Sequence, residues 1–238
     1  MLNSFKEAGF YEDFCEYIYV DNSKENKYEA YEGLNKMISV AKGQYIILCH
    51  QDIELKFDRL DVLEKRMAEV EALDKDWGII SNAGGLNLKK VIERISHPTH
   101  ELNLGPFPTQ VKSVDENFIL IKKSANLGFS RNLKGYHMYG TDICLLANTM
   151  GYNAWVVDFL LLHKSNGKIT DSFRQNKQLL ITKYQKAFRS RYVRSTCTRL
   201  YISGNGLHAK LMNTNFMIFM AKLKVKAKKR VKGNYIFE

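Results

Sequence analysis

Tyr45-Ile46-Ile47-Leu48-Cys49 runs without a break into His50-Gln51-Asp52, and the class of fold follows from how these residues are read. An apolar run of this length, rich in β-branched and aromatic side chains, fits a strand buried on both faces, as in a parallel sheet. Open parallel sheets bind their ligands at the carboxyl ends of the strands. Asp52 therefore stands where an α/β protein holds a metal or a phosphate. It is equally suited to cap a following helix, and the run alone does not choose between the two.

Working upstream, Glu16-Tyr17-Ile18-Tyr19-Val20 reads as a strand that stops at the turn formers Asp21-Asn22-Ser23. Tyr28, Tyr31, Leu34, Met37 and Ile38 then recur at helical spacing, and Ala41-Lys42-Gly43 closes that helix. Strand, helix and strand in this order predict a parallel crossover. Leu2, Phe5, Phe10 and Phe14 give a weaker helical pattern before it.

Downstream, Leu60 to Leu73 is an amphipathic helix with pairs such as Asp61 and Lys65, and Trp77-Gly78-Ile79-Ile80 is a short strand. Asn82 to Gln110 is polar, contains Pro98, Pro106 and Pro108, and is expected to be a long loop beside the ligand. His97 and His100 fall in it without an assigned role. Val114 to Ile121 predicts one strand, with Asp115-Glu116-Asn117 early in it. Asp142 to Met150 predicts a helix with Thr141 as N-cap and Gly151 at C′. Ala154 to Leu162 predicts a further strand that ends in His163-Lys164-Ser165-Asn166-Gly167. Two apolar strands thus end in polar clusters that contain histidine, which favours the ligand reading of Asp52.

The length of 238 residues allows one full α/β domain and a smaller appendage. Residues 1–163 carry 18 Lys and Arg against 23 Asp and Glu, whereas residues 164–238 carry 18 against 2. An acidic body followed by so basic a tail points to an anionic partner for the tail. Cys15, Cys49, Cys144 and Cys197 lack metal-type spacing and read as reduced core residues of a cytosolic protein. The first residues have no apolar signal region, and no stretch is long enough to span a membrane.

Transfer of a sugar from a nucleotide needs a divalent cation at the diphosphate and a carboxylate to take the acceptor's proton. Asp52 and His163 suit Mn²⁺ or Mg²⁺, and Asp142 at a helix start suits the base. In this order the residues resemble the GT-A glycosyltransferases of family 2, in a bacterial branch with His-Gln-Asp in place of Asp-x-Asp. Tyr17 to Ser23 is similar to the second strand of that family, and Tyr31 to Asn35 with Ala41 to Tyr45 to the helix and turn before the metal strand. Val114-Asp115-Glu116 is similar to the strand beneath the donor sugar. His137 to Leu145 resembles the segment with the base, although Gly140 stands where many relatives carry a further acid.

The resemblance covers roughly residues 5 to 175. It implies an α/β GT-A fold with a mostly parallel sheet over residues 1–167 and a basic, mainly helical extension over 168–238. It also implies inverting transfer from a UDP- or GDP-type donor to a glycan or lipid-linked acceptor in bacterial surface polysaccharide or lipopolysaccharide synthesis. Asp142 is then the catalytic residue, Asp52 and His163 hold the metal, and Asp21, Asn22, Asn35, His50, Gln51, Asp115 and Glu116 meet the nucleotide sugar. His50 is expected to support the site rather than ligate. The family's first strand is not matched, so an inactive remnant that serves as a binding protein stays open. Phe216 to Ala221 beside Lys222, Lys224, Lys226, Lys228, Lys229 and Arg230 suits peripheral attachment to an anionic membrane from the cytoplasmic side, or else a solvated tail. A nucleic-acid role would rest on tail charge alone, since no recognition module is present.

Overall fold

The computed structural model describes residues 1–165 and 170–231, with side chains as far as residue 224. Along the chain come α1 (Leu2–Glu7), α2 (Ala30–Val40), β1 (Tyr45–Cys49), β2 (Ile53–Glu54), α3 (Leu60–Leu73), β3 (Trp77–Ser81) and β4 (Ala83–Gly85). There follow β5 (Val91–Ser96), β6 (Glu101–Leu104), β7 (Thr109–Val111), β8 (Ser113–Val114), β9 (Phe118–Lys122), α4 (Tyr139–Thr149), β10 (Asn153–Val156) and β11 (Leu161–His163). The rest is α5 (Asp171–Ala187), β12 (Arg191–Arg194), β13 (Arg199–Ile202), α6 (Gly206–Met212) and α7 (Asn215–Val231). The chain divides into two compact units, residues 1–180 and 181–238. The boundary expected at residue 167 lies outside the described residues.

The first unit is mixed α/β, but its sheets are mainly antiparallel, which corrects the expected parallel sheet. One sheet has the order β1-β9-β3-β10-β7 and the other β2-β11-β5-β4-β8, with β6 also on β5. Only β3 with β10 and β5 with β11 run parallel among the described residues. The crossover predicted from Glu16–Val20 into β1 is not formed. That segment enters no ladder. Its side chains serve other contacts: the Glu16 carboxylate accepts from the Lys42 and Gly43 N–H groups, and the Tyr17 hydroxyl donates to Phe10 O at 2.5 Å. β1 therefore pairs with β9 alone among the described strands, Tyr45 opposite Lys122 and Cys49 opposite Phe118.

Two predicted single strands are each split between the sheets. Ser113–Val114 lies in the second sheet and Phe118–Lys122 in the first, because the Asp115 carboxylate accepts from Asn117 N at 2.9 Å and turns the chain between them. Asn153–Val156 and Leu161–His163 are divided in the same way. The transition recurs between β1 and β2, across His50–Asp52, and between β3 and β4, at Asn82. Each apolar run looks continuous because it is buried on both sides of the break. The breaks hold the polar residues.

The loop expected over Asn82–Gln110 is instead mostly strand. β5 and β6 form a hairpin with Glu93 opposite Leu104 and Ser96 opposite Glu101, and the prolines lie outside the strands. Only Ile92, Ile95 and Ser96 of β5 are buried, so its apolar pattern is thin. The core gathers Phe5 and Phe10 from the N-terminal segment, Leu63 and Val70 of α3, Trp77, Phe118 and Phe159. Burying each such side chain contributes roughly 1.5–3 kcal/mol. Asp158, between β10 and β11, fixes the seam by accepting from Arg94 Nε at 2.9 Å and from Arg66.

All four cysteines are free thiols; Cys144 is buried, Cys15 and Cys49 partly so, and Cys197 is exposed, so it is not a core residue. Burial pushes the Cys49 and Cys144 thiols up to about 12. Among the described residues no helix is long and apolar enough to cross a membrane. In the second unit β12 and β13 form a hairpin within the extension that the resemblance implies to be mainly helical. The Tyr192 and Tyr201 rings pair across it at 4.8 Å, and His208 of α6 packs on Tyr201 at 5.2 Å.

Candidate metal centre at the seam between the sheets

At Cys49 the chain leaves the first sheet and turns. His50 N donates to Asn117 O at 3.1 Å, and Ile53 N to His50 O at 3.4 Å, which ties this turn to the one at Asp115–Asn117. In the second sheet His163 pairs with Ile53, and Leu162 pairs with Ser96 on its other side. The register thus brings Asp52, His163 and His97 to neighbouring strand ends. Lys164 N closes the arrangement by donating to Asp52 O at 3.0 Å.

His50, Asp52 and His163 each present one donor atom within 4.8 Å of the others. Asp52 Oδ2 lies 3.4 Å from His163 Nε2, and Oδ1 lies 4.0 Å from His50 Nδ1. Asp52 Oδ1 is buried without a hydrogen-bond partner, as are Asn82 Oδ1 and Asn117 Oδ1 at the other breaks. A buried oxygen left unpaired costs about 1–3 kcal/mol. A cation with bonds of about 2.1 Å removes that cost and suits donors at this spacing.

His50 is part of the cluster rather than a support, because the turn after β1 breaks the strand alternation that would have aimed it away. Its Nε2 lies 2.9 Å from the Tyr139 hydroxyl, which in turn donates to Glu116 O at 3.3 Å. The network assigns the proton to Nε2 and leaves the Nδ1 lone pair facing Asp52. Burial lowers the His50 pKa against the opposing pull of Asp115 and Asp52, so the ring is held neutral, as a ligand must be. Removing the hydroxyl in Tyr139→Phe should weaken Mn²⁺ binding about 10–100-fold by titration calorimetry. Unchanged affinity would mean that this hydrogen bond does not orient His50.

His97 and His100, unassigned from sequence, stack at 4.9 Å between ring centroids in the β5–β6 turn. His97 lies 5.7 Å from the His163 ring and donates from Nδ1 to Ser165 O at 3.1 Å. Their proximity depends on the parallel pairing of β5 with β11, which spacing in the sequence does not reveal.

A pocket of about 290 Å³ adjoins the turn at Asp115–Asn117 and is lined by Gly84, Glu93, Asp115, Glu116, Thr141 and Phe173 among others. Glu116 accepts from Gly140 N at 3.2 Å at the start of α4. Burial and the Asp115 carboxylate push its pKa up to about 7, against the lowering effect of the backbone N–H groups of Gly140 and Met138. A side chain at position 140 would collide with Val114 O, which explains the glycine there. A larger cavity, about 810 Å³, lies against α1 between Met1, Glu7, Glu54 and Arg59, apart from this cluster.

Asp142 does not reach the pocket. It is fully buried, with Oδ2 accepting from Ser130 N at 2.8 Å and Oδ1 from Ser130 Oγ at 2.6 Å, so it fastens α4 to the preceding loop. Asn35 is likewise structural: its amide donates to Phe129 O at 2.9 Å and accepts from Phe129 N at 2.8 Å. Asp21 and Asn22 build an exposed turn, with Asp21 accepting from Ser23 N at 2.8 Å and Asn22 from Lys27 N at 3.1 Å. Gln51 is exposed at the tip of the turn between β1 and β2. Asp115 and Glu116 line the smaller pocket.

No family model matches the chain. It is similar to a protein of Fuscovulum blasticum described as "ATP synthase subunits region ORF 6", 29% identical over 218 residues that cover 88% of this chain and 87% of that one. Among solved structures, "Crystal Structure of A197 from STIV" aligns with a TM-score of 0.32 and 11% identity, over 58% of this chain and 75% of that chain.

Proposed function

We propose that this chain is an inverting, cation-dependent glycosyltransferase of GT-A type that takes its sugar from a UDP- or GDP-linked donor. Its acceptor is a hydroxyl on a glycan or lipid-linked precursor of a bacterial surface polysaccharide or lipopolysaccharide. The observation that carries this reading is the unpartnered Asp52 Oδ1 in the cluster with His50 and His163, which the Tyr139 hydroxyl links through His50 to the backbone of Glu116, one of the carboxylate residues that wall the smaller pocket. His50, Asp52 and His163 would hold the cation, which supplies positive charge to the departing diphosphate. Two imidazoles and one carboxylate suit Mn²⁺ better than Mg²⁺.

In the transfer, the acceptor oxygen bonds to the anomeric carbon as that carbon's bond to the diphosphate oxygen breaks. The hydroxyl proton passes to a carboxylate. We assign that role to Glu116 in place of Asp142, because Glu116 lines the pocket whereas Asp142 is enclosed with both oxygens bound to Ser130. A pKa near 7 poises Glu116 between accepting and releasing a proton.

UDP or GDP at about 100 times its Kd stabilises a protein by about 2.7 kcal/mol, a Tm rise of roughly 5–10 °C for a chain of this size. That rise is expected with Mn²⁺ and absent with EDTA. No response to any nucleoside diphosphate would count against the proposal. The same donor set also suits non-haem iron(II). Iron-dependent oxygen uptake without a nucleotide response would favour that second reading.

A further inference from the structure

We propose that α7 is a membrane-surface helix that seats the chain on an anionic lipid leaflet. The observation is independent of the metal cluster and of the transferase reading. Phe216, Phe219, Met220 and Leu223 stand at i, i+3, i+4 and i+7, the spacing that puts them on one stripe of a helix. In a water-soluble fold that stripe faces a core. Here all four are exposed, from 40% for Met220 to 68% for Phe216. The opposite face, with Met217, Ile218 and Ala221, is the more covered one, so α7 is apolar on both sides and, among the described residues, one side is left exposed. α6, joined to α7 by Asn213 and Thr214, adds Leu207 and Leu211 at i and i+4, exposed at 81% and 58%.

The charge beside the stripe selects the occupant. Lys222 and Lys224 are exposed and fall, by helical geometry, on the two sides of the stripe. The sequence continues with Lys226, Lys228, Lys229 and Arg230, whose side chains lie outside the described residues. An apolar stripe bordered by lysines matches a leaflet whose acyl region takes the phenyl rings while anionic headgroups meet the ammonium groups. A nucleic-acid duplex would use the charge and leave the apolar stripe in water, and a single strand could stack its bases on the two phenyl rings but would leave Met220 and Leu223 unmatched. A second copy of this chain would set two strongly basic tails against each other. No described helix can cross the bilayer, so the helix lies in the surface plane.

The test is sedimentation of the full chain with vesicles of phosphatidylglycerol and phosphatidylcholine, compared with pure phosphatidylcholine. At least tenfold stronger binding to the anionic vesicles is expected, weakened by salt. Phe216→Glu with Phe219→Glu should reduce it at least tenfold while circular dichroism is unchanged. Lys222→Glu or Lys224→Glu should each cost about fivefold or more. Phe219→Trp supplies a separate readout, a blue shift of its emission when anionic vesicles are added. The proposal is overturned by failure to bind anionic vesicles, by binding that survives the double glutamate variant, or by tight nucleic-acid binding or dimerisation through these residues with no vesicle binding.

Discussion

Asp52→Ala is expected to abolish the Tm rise that UDP or GDP gives with Mn²⁺, and to lower donor turnover by about 10²–10³-fold or more. Asp52 is the shared member of the cluster, 3.4 Å from His163 Nε2 and 4.0 Å from His50 Nδ1, so its loss removes the carboxylate that joins the two imidazoles. The fold should tolerate the change. Asp52 Oδ1 has no hydrogen-bond partner to lose, Oδ2 gives up the 3.4 Å contact with His163 Nε2, and the Lys164 N–H contact that holds the turn is to the backbone oxygen of Asp52. In the absence of cation the variant should therefore melt close to the wild-type temperature. A variant that keeps the full nucleotide shift would remove Asp52 from the cation site.

Glu116→Gln is expected to lower the transfer rate by about 10²–10⁴-fold, the range for loss of a general base. For the wild type, kcat/KM should rise with pH through about 7 as the carboxyl ionises, and the variant should lack that limb. Stability runs the other way. The Glu116 pKa is raised in the fold, so between the ordinary carboxylate value and about 7 the folded chain binds more protons than the unfolded one, and stability falls as pH rises across that window. Glutamine stays neutral, so the variant's Tm at pH 8 should exceed the wild type's by more than it does at pH 5. Asp142→Asn gives the contrast. It breaks into the Ser130 contacts and should lower Tm at both pH values while leaving the shape of the pH–rate profile unchanged.

The seam explains what could be read from the sequence and what could not. The helices at Ala30–Val40 and Leu60–Leu73 follow from 3.6-residue periodicity, which is local, whereas the helix read from its caps as Asp142–Met150 starts at Tyr139, so Thr141 lies in its first turn and is not its N-cap. β1 and the ionisable turn after it were equally legible, and so was the pairing of Asp52 with His163 as candidate ligands. Sheet direction was not, because a run such as Tyr45–Cys49 is equally apolar whether its neighbour is parallel or, as with β9, antiparallel. Val114–Ile121 hid its turn for a related reason. An acid within an apolar run looks like a strand start, and only the capture of Asn117 by the Asp115 side chain shows that the chain turns there and leaves Glu116 at the pocket. Asp142 is the opposite case, since an acid in the first turn of a helix is as well suited to tying down a loop, as both its oxygens do at Ser130, as to chemistry.

β1 is paired along one edge only among the described strands, so binding and turnover must be measured together. The most direct measurement is nucleoside diphosphate release by the full chain from a panel of UDP- and GDP-sugars, with Mn²⁺ or EDTA, for wild type and Asp52→Ala. The account predicts release from at least one donor with Mn²⁺, none with EDTA and none from the variant. No release from any donor, even with cation-dependent nucleotide binding intact, would contradict it and make the chain a binding protein.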